Sequence, residues 1–313
     1  FKTMEIAPEI EARAGTHFIP GLRTPDKWLI HDTIAIGPML NDRFAEHPVI
    51  PATPVQRASC FILEDAFNHW LGRHAVHSRW CYEDNVTWVG LRFGANMVLD
   101  RSIDEPLSEA EREQLAGIGP MMNENFGKSV CESLGAGPDQ ADAMQADFKA
   151  LLAVLDSHLA EHAFLLGPRP CLADFALAGA VKAHFITDPT PISWLGSYRE
   201  RLETYTQACF RSATESAQQW LADDSIAESL QPLLDYLQGS YYRSAKASVS
   251  AALAGEKYYD LDYGYGPVKA RSQRRLDLAR QHVKNEIQRS GAADQPALEA
   301  SFGQRGILEY YLA

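Results

Sequence analysis

From Ala58 onward the apolar residues recur every three or four positions, and this period commits most of the chain to helix. Ala58, Ile62, Ala66 and Trp70 mark one side of a long helix. Phe148, Leu152, Leu155 and Leu159 repeat the spacing. Phe175, Leu177, Ala178, Val181 and Phe185 form a run apolar enough to be buried on most sides. Later helices are expected near 197–221, 226–253 and 267–289. Gly135-Ala136-Gly137-Pro138 and the 187–193 segment break the pattern, and Tyr258–Gly266 reads as an ordered loop or a short strand pair.

Ahead of the helices, His47–Pro54 carries three prolines in eight residues and reads as a linker over 47–54. Residues 1–46 have a different character. A helical turn over Ile6–Arg13 is ended by Gly15, and a strand His17-Phe18-Ile19 then meets Pro20. The turn Thr24-Pro25-Asp26-Lys27 leads to a second strand, Trp28-Leu29-Ile30. Asp32 and Thr33 then start a helix through Ile34, Ile36 and Leu40. Two strands and one helix cannot bury enough surface to fold alone.

With 313 residues, 46% of them hydrophobic, the chain can build one or two packed cores. A net charge of −12 argues against a nucleic-acid surface, and the basic run Lys269, Arg271, Arg274, Arg275 reads as a solvated helix start. The longest apolar stretch, Phe175–Ile186, contains Lys182 and His184, so no membrane span is expected. Five widely spaced cysteines without a Cys-x-x-Cys, and no signal peptide, suit a reduced, cytoplasmic compartment. The Asn85-Val86-Thr87 sequon would stay unmodified there.

Two segments resemble the glutathione S-transferase superfamily. One is Phe18-Ile19-Pro20-Gly21-Leu22-Arg23 followed by His31-Asp32-Thr33-Ile34. The other is Leu155-Asp156-Ser157-His158-Leu159 followed by Phe164–Leu177, with its Gly167-Pro168 turn and Asp174. The resemblance implies a partial thioredoxin-like α/β domain over 1–46. It implies an all-helical C-terminal domain over 55–313, with a C-terminal extension from about residue 240. The family places Ser or Thr at the position of Cys171, opposite Asp174 in a capping box. A thiol is a poorer acceptor, so the helix must rest on its buried face.

The resemblance also implies a glutathione site. A cis bond before Pro20 would turn the N–H and C=O of Ile19 outward to pair with an extended tripeptide. Thr33, at a helix N-terminus, would hold the γ-glutamyl carboxylate, and Asp32 the ammonium. The family usually shows Glu-Ser here, so Asp-Thr is a shorter variant. The family's catalytic Tyr, Ser or Cys lies upstream of such a segment, and nothing in residues 1–18 matches it. Arg79, Trp80 and Tyr82, near the end of the long helix, are candidates for the pocket of a small electrophilic co-substrate. A homodimer is the family expectation. The competing expectation is a non-catalytic binding or assembly subunit built on the same fold.

Metal chemistry is set aside. His158-Leu159-Ala160-Glu161-His162 fits H-x-x-E-H, but a third ligand is not evident. His74, His77 and Cys81 share a helical spacing that suits pocket lining better than chelation. Gly264-x-Gly266 lacks the third glycine of a nucleotide fingerprint.

Overall fold

The computed structural model describes residues 12–13, 20–102, 105–211, 219–262, 264–289 and 291–313. The expected turn at Ile6–Gly15 falls largely outside them, and the strand at His17–Ile19 falls wholly outside. The chain divides into two compact units, Phe1–Ile50 and Pro51–Ala313.

In the first unit, β1 (Gly21–Arg23) pairs antiparallel with β2 (Leu29–His31), Leu22 opposite Ile30. The turn between them closes through Lys27 N–H donating to Thr24 C=O at 2.9 Å. Asp32 then caps α1 (Thr33–Arg43), its Oδ1 accepting the Ile34 N–H at 3.2 Å. Asn41 Oδ1 accepts the N–H groups of Val49 and Ile50 at 2.9 and 3.0 Å, tying the outgoing chain to α1. Among the described residues of this unit only Thr24 and Ile50 are buried. So small a hairpin and one helix have little apolar surface to close over.

The second unit is mostly helical and organised around α2 (Pro54–Trp80). Ala58, Ile62, Ala66 and Trp70 are all buried on it, as the period of four requires. Around α2 pack α3 (Glu83–Leu99), α6 (Lys128–Ser133), α7 (Ala141–Glu161), α8 (Leu172–Ala180), α13 (Arg274–Gln288) and α14 (Gln295–Phe302). Two short helices, α4 (Glu109–Leu115) and α5 (Ile118–Met122), follow α3. Gly90 of α3 meets Gly119 of α5 so closely that a Cβ on Gly90 would stand 2.3 Å from the Gly119 Cα. Next to α8, α9 (Pro189–Leu195) and α10 (Arg199–Arg211) complete the middle of the chain.

Asp174 organises that middle. Its Oδ2 accepts the Cys171 N–H at 2.8 Å, the carboxylate half of the capping box. Its Oδ1 accepts the Leu165 N–H and the Tyr205 hydroxyl, both at 2.9 Å. Burial pushes this carboxyl above its ordinary value, against the pull of those donors.

The tail is part of the same core. α11 (Gln231–Leu237) runs through a π-turn at Gln238–Tyr242 into α12 (Arg243–Leu253). A hairpin of β3 (Tyr258–Asp262) and β4 (Pro267–Arg271) follows, then α13, α14 and α15 (Ile307–Leu312). The expected helix at 267–289 therefore begins only at Arg274. Val268 and Ala270 alternate inward from Lys269 and Arg271, a period of two that belongs to a strand. Lys269 and Arg271 thus lie on β4 and not at a helix start. Tyr241 and Tyr311 both donate to Asp65 Oδ2 on α2, at 2.8 and 2.7 Å. Arg57 on α2 bridges to Glu286 on α13 at 2.6 Å.

Candidate functional site

In the first unit the structure brings Pro20, Asp32 and Thr33 to one end of the β1–β2 hairpin. The Asp32 N–H donates to the Pro20 C=O at 3.1 Å, which extends the ladder past Gly21 and His31. All three residues are exposed. Asp32 takes a positive φ of 75°, a conformation Asp tolerates better than most residues. That conformation turns its carboxylate onto the first turn of α1. The Asp32 C=O accepts from the Ala35 and Ile36 N–H groups, and its side chain takes the Ile34 N–H. Thr33 presents its N–H at the helix start, where no acidic side chain occupies the first turn, while its hydroxyl donates to Asp32 Oδ1 at 3.4 Å. An anion fits there on electrostatic grounds, although Asp32 stands beside it. Ile19 lies outside the described residues, and so does the bond before Pro20.

Sequence reasoning passed over the opposite end of this hairpin. A depression of about 670 Å³ there is lined by Arg13, Arg23, Thr24, Pro25 and Lys27. Arg13 donates to the Lys27 C=O at 3.1 Å. Arg23 and Lys27 on either side of the turn were a readable signal, whereas Arg13 reaches it from 14 positions upstream of Lys27.

In the second unit Arg79, Trp80 and Tyr82 part company, because one helical turn sends them in different directions. Arg79 lines a cleft of about 380 Å³ with Trp88, Arg92, Phe93, Lys182 and Asp188. Its guanidinium grips Asp188 with two hydrogen bonds of 2.7 and 2.8 Å and donates a third to the Ala183 C=O at 2.9 Å. Burial resists ionisation of Asp188, but His184 and Arg79 outweigh it and hold the carboxyl below its usual range. Burial keeps His184 itself below the ordinary imidazole value. Arg79 is therefore a strut of the cleft, and the outward cations are Lys182 and Arg92, the latter stacked 4.7 Å over Trp88. Aromatic walls under a cationic rim suit a planar apolar group bearing negative charge.

Trp80 is a core residue instead, 6% exposed and packed with Val86, Val89 and Cys131. A Cβ at Gly127 would come within 2.7 Å of its ring. Tyr82 stands apart from both, its hydroxyl 3.2 Å from His77 Nε2 and its ring edge-on to Trp194. Asn85 of the sequon is fully buried, and its Oδ1 accepts the Thr190 N–H at 3.1 Å.

The histidine motifs resolve into packing. His158 is buried between Ser229 Oγ at 3.0 Å and the Phe164 C=O at 3.2 Å. His74 bonds Asp147 at 2.8 Å, and His77 bonds the Ala136 C=O at 2.9 Å. Among the described residues no group of three or more His, Cys, Asp or Glu side chains is placed to hold a metal ion. No helix among them is long and apolar enough to cross a membrane.

What defines the class of this protein is the helical unit, with its buried α8 stapled through Asp174 to the turn before it and to α10. Residues 138–206, which carry α7 through most of α10, match the family described as glutathione S-transferase, C-terminal domain. Residues 138–206 thus carry a segment similar to a glutathione S-transferase C-terminal domain. No curated protein and no solved structure matches the chain.

Proposed function

We propose that the protein is a glutathione S-transferase-like enzyme. In this reading glutathione thiolate attacks a small, largely apolar electrophile, or cleaves a glutathione conjugate reductively. The observation that carries the reading is the family match over 138–206, whose staple residue Asp174 is fully engaged. The first unit supplies a compatible feature. Thr33 opens α1 as an exposed residue whose N–H, and whose hydroxyl once it turns from Asp32 Oδ1, suit the γ-glutamyl carboxylate, and Asp32 suits the ammonium. Ile19 and Pro20 complete the proposed glutathione contacts as the strand that pairs with the tripeptide backbone.

The same reading extends to the organisation of the chain through five expectations. They are a thioredoxin-like first domain over 1–46, a linker over 47–54, a helical domain over 55–313, a homodimer and a cytoplasmic site of action. The co-substrate contacts are assigned to the cleft held open by Arg79, with Tyr82 beside Trp194 as a second aromatic surface. Trp80 supports the cleft wall from within the core.

Titration calorimetry with glutathione tests the reading. Thr33→Ala should weaken binding about tenfold, or about 1.4 kcal/mol, by removing the hydroxyl at the carboxylate. Unchanged affinity in that variant would refute the site. Absence of any glutathione binding by the wild type would leave the binding or assembly role as the reading.

A further inference from the structure

All five cysteines carry free thiols, and two of them face each other at a helix junction. Cys81 follows the last residue of α2, and Cys131 lies on α6. Their sulfurs stand 3.9 Å apart. The two differ in exposure, since Cys131 is 1% exposed while Cys81 is half-buried and open to solvent on one side. Cys60, Cys171 and Cys209 are all closed off at 1% exposure or less. Cys81 is thus the cysteine a small solute reaches first, and its nearest thiol lies directly behind it.

We propose that Cys81 and Cys131 form a peroxide-oxidisable dithiol, in which Cys81 is attacked first and Cys131 resolves it to a disulfide. The proposal does not depend on the glutathione reading. In the first step the Cys81 thiolate attacks one oxygen of a hydroperoxide. The O–O bond breaks, the departing oxygen leaves as water or alcohol after taking a proton, and Cys81 becomes a sulfenic acid. In the second step Cys131 sulfur attacks Cys81 sulfur and the S–O bond breaks. Water leaves and the Cys81–Cys131 bond forms. Two thiols lose two electrons in total, and the peroxide gains them.

The surroundings favour the first step. The neighbouring Cys131 thiol holds the Cys81 thiol below its ordinary value, against burial and with help from His77, while the Val76 C=O at 3.4 Å from Cys131 and the Ala136 C=O at 3.5 Å from Cys81 compete for the two S–H protons. Cys131 moves the other way, because its proton is the one shared. Asp139 opposes the effect on Cys81, and Glu132 adds to the upward push on Cys131. The helix C-terminus at Cys81 also works against a thiolate, so the neighbouring thiol and His77 must outweigh it. Closing 3.9 Å to the roughly 2.05 Å of a disulfide asks each sulfur to move about 1 Å. The six residues of α6 and the junction after Trp80 are the short elements that would carry this shift.

The test treats the reduced full chain with a few-fold excess of hydrogen peroxide, followed by thiol counting under denaturing conditions and peptide mapping. Titratable thiols should fall from five to three, with a mass loss of about 2 Da carried by a Cys81–Cys131 cross-linked peptide that a dithiol reductant restores. In Cys131→Ser the reaction should stop at a sulfenic acid on Cys81, captured by dimedone, because the serine hydroxyl can still donate to the thiolate but cannot resolve it. Oxidation that begins at Cys60, Cys171 or Cys209, or wild-type protein that keeps all five thiols while an exposed model dithiol is consumed, overturns the proposal. Both of these overturning outcomes are read on wild-type protein, so a Cys131→Ser variant that fails to fold does not protect the idea.

Discussion

Asp188 has no solvent-exposed side-chain surface, while its partner Arg79 keeps 15%. A carboxylate so placed is stable only while the guanidinium spans both of its oxygens. Its folded value lies below the ordinary one, so its contribution to stability is fully present above about pH 4 and is lost as pH falls through the folded value. Arg79→Ala should cost about 3 kcal/mol at pH 7, because it strands a buried charge. The deficit should shrink below about pH 4, where the stranded acid takes a proton. Urea unfolding of both proteins at pH 7 and pH 3 checks this, and an equal deficit at the two pH values would remove Asp188 from the account. Arg79 was legible as a residue of interest because it closes a long amphipathic helix. Its acid lies 109 positions further on, and no local pattern connects the two.

Among the elements, α2 shows how far a helix can depend on distant chain. Thr53 stands at its N-cap with Pro54 in the first turn, yet the Thr53 side chain makes no cap bond. Asp224 provides the cap instead, its two oxygens accepting the Val55 and Gln56 N–H groups at 2.8 and 2.9 Å. Asp224→Ala should lower stability by about 2 kcal/mol, since two charge-assisted bonds at the positive end of a helix are lost. Asp224→Asn should recover about half of it through its one remaining acceptor. A urea midpoint unmoved by Asp224→Ala would show that water satisfies those donors equally well. The apolar period placed α2, α7 and α8 correctly, because buried faces at intervals of three and four are a local property. It misplaced the start of α13, because over 267–271 the alternation of Val268 and Ala270 spans too few residues to compete with the helical pattern after it. The π-turns at Val181–Phe185 and Gln238–Tyr242 left no local mark at all.

Across the second unit, the last two helices are structural and not an appendage. Leu298, Phe302, Ile307, Leu308, Tyr310 and Tyr311 are each at most 3% exposed. At about 2 kcal/mol for each buried side chain, they contribute on the order of 10 kcal/mol, comparable to the whole stability of a domain. Removing residues 295–313 also strips Asp65 of the Tyr311 hydroxyl. The truncated chain should lose its cooperative melting transition, as followed by circular dichroism. A transition within a few degrees of wild type would show that the tail is dispensable. By itself the sequence determined the helical character of the second unit, the position of its long central helix, the capping role of Asp174 and the hairpin-to-helix junction at Asp32. Each of these is set by neighbours within a few residues, through periodicity, turn chemistry or a cap. Tertiary structure alone decided that Arg79 grips Asp188, that Trp80 turns into the core, that Asp224 caps α2 and that Cys81 meets Cys131. Those contacts join positions 50 to 169 residues apart, and only packing brings them within bonding distance.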